Sequence, residues 1–281
     1  MATLADVAAR PSSRTGEAAL RGAAILLVAA SWVSAGLFGA FILAFYGGTA
    51  AGGAAGRWNE TLPNLHSANL AATLAIGAHF VTGGTLLLLG PVQLVAAIRN
   101  RVPALHRWLG RLYVLSAALA GTGGLVFIAT RGTIGGPAMD IGFGIYGALM
   151  VLCAGLAYAH ARARRIERHR AWAIRLFALA IGSWLYRMDY GFWFLAFGKA
   201  GHTPDFRGGF DLAMDFAFYL PNLAIAELFL RARRTGTAPA LRYAAAALLL
   251  GASAFILLAT WFFATRMWFP GMAAGWQALS G

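Results

Sequence analysis

Charged residues are scarce in this chain, and that scarcity decides its class. They make up 12% of the 281 residues, while 59% are hydrophobic; soluble domains carry roughly 25% charged residues. Apolar runs near 20 residues are long enough to cross a hydrocarbon core of ~30 Å as helices. The sequence therefore predicts an all-α integral membrane bundle of seven transmembrane helices, at about residues 21–46, 68–97, 109–130, 141–160, 171–198, 210–230 and 240–265.

Cysteine and lysine are nearly absent, which excludes several kinds of site. Cys153 is the single cysteine, so no disulfide can form within the chain and no cysteine pair is spaced to bind a metal. The one lysine, Lys199, lies in a predicted outer loop, so no span carries the Schiff-base lysine of a retinal protein. The motifs of zinc proteases and of serine hydrolases are also missing. No metal site is predicted, and the question of enzymatic activity stays open.

Basic residues gather on one side of the predicted membrane. The net charge is +13, and 17 of the 23 basic residues lie in or beside the N-terminal segment and every second loop. Cytoplasmic loops carry such an excess, so the N-terminus is predicted inside and the C-terminus outside a bacterial inner membrane. We interpret the charge as contact with anionic lipid headgroups rather than with nucleic acid. Residues 1–20 are expected to form a flexible cytoplasmic segment and residues 21–281 a single transmembrane domain.

Polar side chains recur on one face of four predicted helices. Polar groups avoid lipid, so these faces are expected to meet inside the bundle. Near the midplane lie His79, Arg187 and Asp215, with Asn222 slightly further in. Because an unpaired cation within a span is costly, Arg187 is expected to pair with Asp215, or otherwise with Asp189.

A second polar level lies at the inner edge of the bundle. His106 and His169 begin the third and fifth spans at the same depth, which makes them, together with His79, candidate contacts of a cofactor or ligand. Arginines bind carboxylates in a bidentate manner, and those placed to bind acidic groups of such a molecule are Arg107, Arg111 and Arg175. The predicted polar network of the interior consists of Gln93, Arg187, Asp215, Asn222 and Glu227.

The spaced motifs of this region resemble those of one family. They read Gly-Pro-x-Gln from Gly90, His-Arg-x-x-Gly-Arg-x-Tyr from His106, Arg-His-x-x-Trp-x-x-Arg from Arg168, and Pro-Asn-Leu from Pro221 followed by Glu227. From about residue 79 to residue 227 the chain resembles the DUF2306 family of predicted bacterial membrane proteins. That name denotes an unknown function, so the resemblance implies a membrane architecture and the place of a site but no chemistry.

The two inner histidines favour two functional interpretations. A pair of histidines on different helices at one depth is typical of b-type haem ligation, with arginines on the propionates. The alternative is a pocket for a quinone-like or small anionic molecule, with hydrogen-bond donors supplied by the interior polar residues. The working hypothesis is thus a membrane redox protein, linked to haem or quinone, or a small-ligand-binding protein.

Two further classes stay open, as do simpler roles for the same residues. One class is a transporter of a small anionic substrate. The other is a non-catalytic accessory subunit of a larger membrane complex, with aromatic residues such as Trp261 and Trp268 forming the partner surface. His106 and His169 also fit the role of anchors at the membrane interface, and Arg187 that of a structural ion pair.

Overall fold

The observed elements are helical throughout the part of the chain that is described. A computed structural model describes the backbone of residues 11–61, 70–234 and 236–280, and the side chains of residues 15–61, 82–234 and 236–280. The α-helices are α1 (Pro11–Phe41), α2 (Gly48–Ala51), α3 (Leu70–Leu94), α4 (Ala96–Arg101), α5 (Pro103–Arg131), α6 (Pro137–Arg162), α7 (Ile166–Ala180), α8 (Gly182–Phe197), α9 (Gly209–Ala217), α10 (Leu220–Ala232), α11 (Pro239–Phe263) and α12 (Phe269–Ser280). Further helical turns are the π-helices Ile42–Gly47 and Ala264–Trp268 and the 3₁₀-helix Ala55–Glu60.

Proline and glycine mark several helix ends. Pro103, Pro137 and Pro239 stand at the starts of α5, α6 and α11, where the amide hydrogen that proline lacks would have no partner within the helix. Gly132 and Gly136 have φ values of +70° and +72°, in the left-handed region that glycine tolerates best. The turn between α5 and α6 is therefore short, and the two helices pack side by side.

Within the residues that the structure describes, five helical stretches are long and apolar enough to cross a membrane. They are Thr15–Ala51, Pro103–Arg131, Pro137–Arg162, Gly209–Ala232 and Pro239–Ser280. Large apolar side chains such as Leu119 and Phe127 on α5 remain exposed, as expected of a surface that faces lipid. The prediction of an all-helical, multi-pass membrane protein is confirmed.

The predicted second and fifth spans are not among these five stretches. The second falls on α3, whose side chains are described only from residue 82 onward. The fifth is divided between α7 and α8, of 15 and 16 residues, which meet at Ile181. A Cβ at Gly182 would lie 3.0 Å from the carbonyl oxygen of Phe218, so the start of α8 rests closely on the turn between α9 and α10. The continuous helix assumed over 171–198 is thus interrupted.

The long helices enclose a central space. α1 packs along α11 and also contacts α3, and α3 contacts α5 and α7. α10 joins α7 to α11, and α6 packs between α5 and α7 on the outside of this ring. The ring of α1, α3, α7, α10 and α11 therefore surrounds the interior in which the site lies.

The N-terminal helix begins earlier than predicted. α1 starts at Pro11, so residues 11–20, expected to belong to a flexible segment, are helical. Two contacts with α11 account for this order: Glu17 Oε1 lies 2.8 Å from Arg242 Nη1, and the Thr15 hydroxyl lies 2.8 Å from that of Tyr243. The start of α1 is therefore anchored to the start of α11.

Candidate functional site

A large cavity, partly open to the surroundings, lies between the helices of the bundle. Its volume is about 2170 Å³, and its walls come mainly from α1, α7, α8, α10 and α11. The ends of α3, α5 and α6 close the side on which His106 and His169 lie. Apolar residues such as Leu249 and Ile256 line most of the interior, and Phe197 lies at the far end of α8. The cavity thus joins a polar end to an apolar interior.

The polar end carries a ring of arginines. Both His106 and His169 line it and are partly buried. The arginines that line the cavity with them include Arg21, Arg99, Arg107, Arg111, Arg170 and Arg233. Positive charge at this end favours a ligand whose polar group is anionic or rich in hydrogen-bond acceptors.

Gln93 fixes the orientation of His106. The hydrogen-bond network assigns the amide nitrogen of Gln93 to the side facing His106, where it donates to the carbonyl oxygen at 3.2 Å and to Nδ1 at 3.1 Å. The amide oxygen accepts from Gly110 N at 3.3 Å. A Cβ at Gly110 would come within 3.1 Å of this amide, so glycine leaves room for the side chain. The Gly-Pro-x-Gln and His-Arg-x-x-Gly motifs are therefore two halves of one contact between α3 and α5.

His169 is oriented by a backbone carbonyl. Its Nδ1 lies 2.8 Å from the carbonyl oxygen of Ala157 on α6, to which only a protonated Nδ1 can donate. In the neutral ring, Nε2 then carries the lone pair. At His106 the assignment is reversed, because Nδ1 accepts a hydrogen from Gln93 and the proton resides on Nε2. The two histidines thus present one donor and one acceptor.

This asymmetry bears on the haem interpretation. An axial histidine binds iron through a nitrogen lone pair, while its other ring nitrogen donates to an oriented acceptor. His169 has that arrangement, but His106 does not, since Gln93 occupies its Nδ1 lone pair. The pair, as oriented, does not fit ligation of one haem by both histidines.

Arg175 and Glu227 face away from the large cavity. Their side chains form an ion pair that joins α7 to α10. The guanidinium of Arg175 also lies 4.6 Å from the ring centroid of Trp172. The pair lines a smaller cavity of about 460 Å³ rather than the central one. The sequence motifs placed Arg175 and Glu227 beside the histidines of the candidate site. In the structure the two side chains instead pair with each other outside the central cavity.

Arg187 does not form the expected ion pair. No described carboxylate lies within salt-bridge distance of it, and its Nη1 donates to the carbonyl oxygen of Ser183 at 2.8 Å. The electrostatic neighbours of the guanidinium are the hydroxyl groups of Tyr46, Tyr146 and Tyr186. The pairing with Asp215 was predicted from helical spacing and depth, but Asp215 on α9 forms neither an ion pair nor a hydrogen bond with the guanidinium.

The remaining members of the predicted network lie apart. Asp215 is fully buried, and within the described part of the chain neither of its carboxylate oxygens has a hydrogen-bond partner. Asn222 lines the central cavity and donates to the carbonyl oxygen of Phe218 at 2.9 Å. The side chain of His79 lies outside the described residues. The structure therefore brings together His106, His169 and Gln93 from the predicted set but separates them from Asp215.

A hydrogen-bonded chain near the opposite end was not predicted. His202 Nδ1 and the Tyr190 hydroxyl each lie 2.8 Å from Asp211 Oδ1, and Tyr186 donates to Tyr190 at 3.3 Å. The backbone amides of Thr203 and Gly208 donate to Asp211 Oδ2. One local signal was present in the sequence. Asp211 stands three residues after Gly208, the N-cap residue of α9, where a carboxylate accepts hydrogen bonds from the free backbone amides of the first turn. Among the residues with described side chains, no group of three or more His, Cys, Asp or Glu could hold a metal ion.

Comparison with known proteins identifies the family. A family model described as predicted membrane protein (DUF2306) matches residues 76–230, which is more than half of the chain. No curated protein and no solved structure matches the sequence. The matched segment contains Gln93, His106 and His169, whereas α1 and α11 lie outside it. The motifs and the match agree, and the chain belongs to the DUF2306 family of predicted membrane proteins.

Proposed function

We propose that this protein binds an amphiphilic small molecule within the membrane, with the polar head at the His/Arg end of the central cavity and the apolar tail along its interior. The observation that carries the proposal is the cavity itself. Pockets for drug-sized ligands measure about 300–1,000 Å³, and this one holds about 2170 Å³. Such a volume suits a long-chain molecule.

The length of the cavity supports a tail. It extends from His169, near the start of α7, to Phe197 at the end of α8. At a rise of about 1.5 Å per residue, helices over that stretch cover about 40 Å, the scale of a bilayer. Phe197 and Leu258 are 62% and 55% exposed, so the far end opens toward the surroundings of the bundle. A tail is able to enter there directly from lipid.

The placement of arginines supports a topology for the whole chain. The starts of α5, α7 and α11 and the ends of α6 and α10 are rich in arginine and lie at the polar end of the cavity. We propose seven spans, with α3 as the second and the interrupted pair α7–α8 as the fifth. The Arg-rich end then faces the cytoplasm and the anionic lipid headgroups of a bacterial inner membrane, with the N-terminus inside.

The occupant is accessible to direct measurement. The protein is purified in a mild detergent, extracted with organic solvent, and the extract is identified by mass spectrometry. Ala252, on the cavity wall, is replaced by Trp to block the tail, and Ala148, exposed on α6 and outside the cavity lining, is replaced by Trp as the control. We expect a stoichiometric long-chain molecule in the wild type and in A148W, and its loss in A252W.

Two outcomes contradict the proposal. The first is an extract with only bulk lipid in the same proportions for all three proteins. The second is a Soret band in the absorbance spectrum of the purified protein, which would assign the cavity to haem instead.

A further inference from the structure

Resting on the proposed function, we infer that the polar end of the cavity recognises a head group with both a hydrogen-bond acceptor and a hydroxyl donor. A quinol has this chemistry, because each of its hydroxyl groups both donates and accepts, whereas the corresponding quinone only accepts. His106 donates to an oxygen of the head, and His169 accepts from its hydroxyl. The quinone is expected to contact His106 alone and to bind more weakly than the quinol, and no electron transfer is involved.

The donor role of His106 follows from its contact with Gln93. An amide nitrogen has hydrogens and no acceptor capacity. Its approach to within 3.1 Å of Nδ1 therefore requires a lone pair there, and the ring proton is on Nε2. Two other contacts hold the same amide, to the carbonyl oxygen of His106 and the amide nitrogen of Gly110, so the assignment does not depend on a single distance.

The acceptor role of His169 follows from its contact with α6. The carbonyl oxygen of Ala157 has no hydrogen to give, so the short contact with Nδ1 requires the proton on Nδ1. The ring lines the cavity beside Ala157, which lines it as well. Its Nε2 lone pair is the hydrogen-bonding group that remains to meet a ligand.

The two rings serve one site. His106 and His169 line the same cavity, and Arg99 and Arg107 line it with them. A phosphate or carboxylate offers only acceptors. It would satisfy His106 and the arginines but would give no hydrogen to the acceptor of His169, and the same is true of a quinone. A head with an O–H group satisfies both histidines.

The test separates the donor from the acceptor. Asparagine places its amide near the position of the histidine Nδ1 and has nothing at Nε2. H169N keeps a donor for the carbonyl of Ala157, and H106N keeps an acceptor for Gln93, so each variant removes only the ligand-facing nitrogen. H160N is the matched control, because His160 lies on α6 outside the cavity lining.

Binding is measured with the full chain in lipid nanodiscs by competition against a tritiated benzoquinone that carries a decyl chain. The competitors are its hydroquinone, the dimethyl ether of that hydroquinone, and decylbenzene, which has the tail alone. One neutral hydrogen bond is worth about 1 kcal/mol, so its loss weakens binding by about five- to tenfold. H169N is expected to weaken the hydroquinone by this factor and to leave the quinone and the ether unchanged. H106N is expected to weaken all three oxygenated compounds, and H160N none.

The outcomes distinguish this inference from the proposed function. If decylbenzene competes as well as the quinone, or if both variants bind like the wild type, the cavity binds the apolar tail without recognising the head, and the inference about the head is wrong. If no probe binds the wild type and the extract contains only bulk lipid, the proposed function itself fails. Thermal unfolding of each variant checks that it is folded.

Discussion

Two aspartates four residues apart on α9 have opposite surroundings. Asp211 and Asp215 are both fully buried. Asp211 accepts hydrogen bonds from two side chains and two backbone amides, whereas Asp215 has no partner within the described part of the chain. A buried carboxylate is stabilised by charge-assisted hydrogen bonds and destabilised by their absence. The two positions therefore form a natural pair for comparison.

We predict that substitution by asparagine changes stability in opposite directions at the two positions. D211N weakens four hydrogen bonds to a charged acceptor and is expected to lower the free energy of unfolding by about 3 kcal/mol. D215N removes a charge without a partner and is expected to raise it by about 1 kcal/mol. Thermal unfolding in one detergent at neutral pH measures both. A lower unfolding temperature for D215N would contradict this prediction and would mean that the buried carboxylate is stabilised by a partner in the purified protein.

The residues of the site were only partly predictable from the sequence. Helical spacing and depth placed His106 and His169 at the same depth in the membrane. Each lies near the start of a helix, and that start can be located from the apolar run that follows it. The same reasoning failed for Arg187, because spacing and depth do not give the rotation of α8 relative to α9, and the guanidinium donates to the carbonyl oxygen of Ser183 instead of to Asp215. The roles of the two histidine nitrogens could not be predicted, since they depend on partners from α3 and α6.

At the scale of elements, α3 and α5 are joined by one side chain. Gln93, near the end of α3, contacts the carbonyl of His106 and the amide of Gly110, which are one helical turn apart on α5. Gly90 permits this approach, since a Cβ there would lie 3.3 Å from the ring of Tyr113 on α5 and 2.9 Å from the ring of Phe177 on α7. The first turns of α5 are therefore positioned by α3.

We predict that Q93M destabilises this joint. Methionine has a similar length but cannot hydrogen-bond to His106 or Gly110, and the loss of three contacts is expected to lower the free energy of unfolding by about 1–3 kcal/mol. Thermal unfolding measures this change, and hydrogen exchange of the α5 amides locates it. The control is Q277M, on an exposed position of α12. Equal stability of the two variants would show that Gln93 does not hold α5.

Helix boundaries were predictable where the signal is local. The third and fourth spans, expected at 109–130 and 141–160, correspond to Pro103–Arg131 and Pro137–Arg162. Proline at the start and glycine in the turn are read directly from the sequence. The helical start of α1 before residue 21 was missed, because its order comes from contacts with α11.

At the scale of the whole molecule, the proposed topology assigns each loop to one side of the membrane. The turn at Ala163, between α6 and α7, belongs to the Arg-rich side, and Lys199, after α8, belongs to the other. Both residues are exposed, whereas the single native cysteine, Cys153, is buried.

We predict that cysteines at these two positions react differently with a membrane-impermeant maleimide. In a C153A background, K199C is expected to be labelled in intact spheroplasts, and A163C only after the membrane is opened. The unsubstituted C153A protein controls for background labelling. The reverse pattern of labelling would show that the N-terminus lies outside. Labelling of both cysteines in intact spheroplasts would show that positions 163 and 199 lie on the same side of the membrane.

The cavity has walls of two origins. Its two histidines and most of the arginines at its polar end lie within residues 76–230, whereas α1 and α11, outside that range, line much of its apolar length and also contribute Arg21 and Arg242. Both histidines that would contact the head therefore belong to the matched segment, while much of the wall along the tail comes from outside it. Relatives that share the inner segment but differ in the first and last helices would therefore select ligands by the length or branching of the tail while they recognise the same head group.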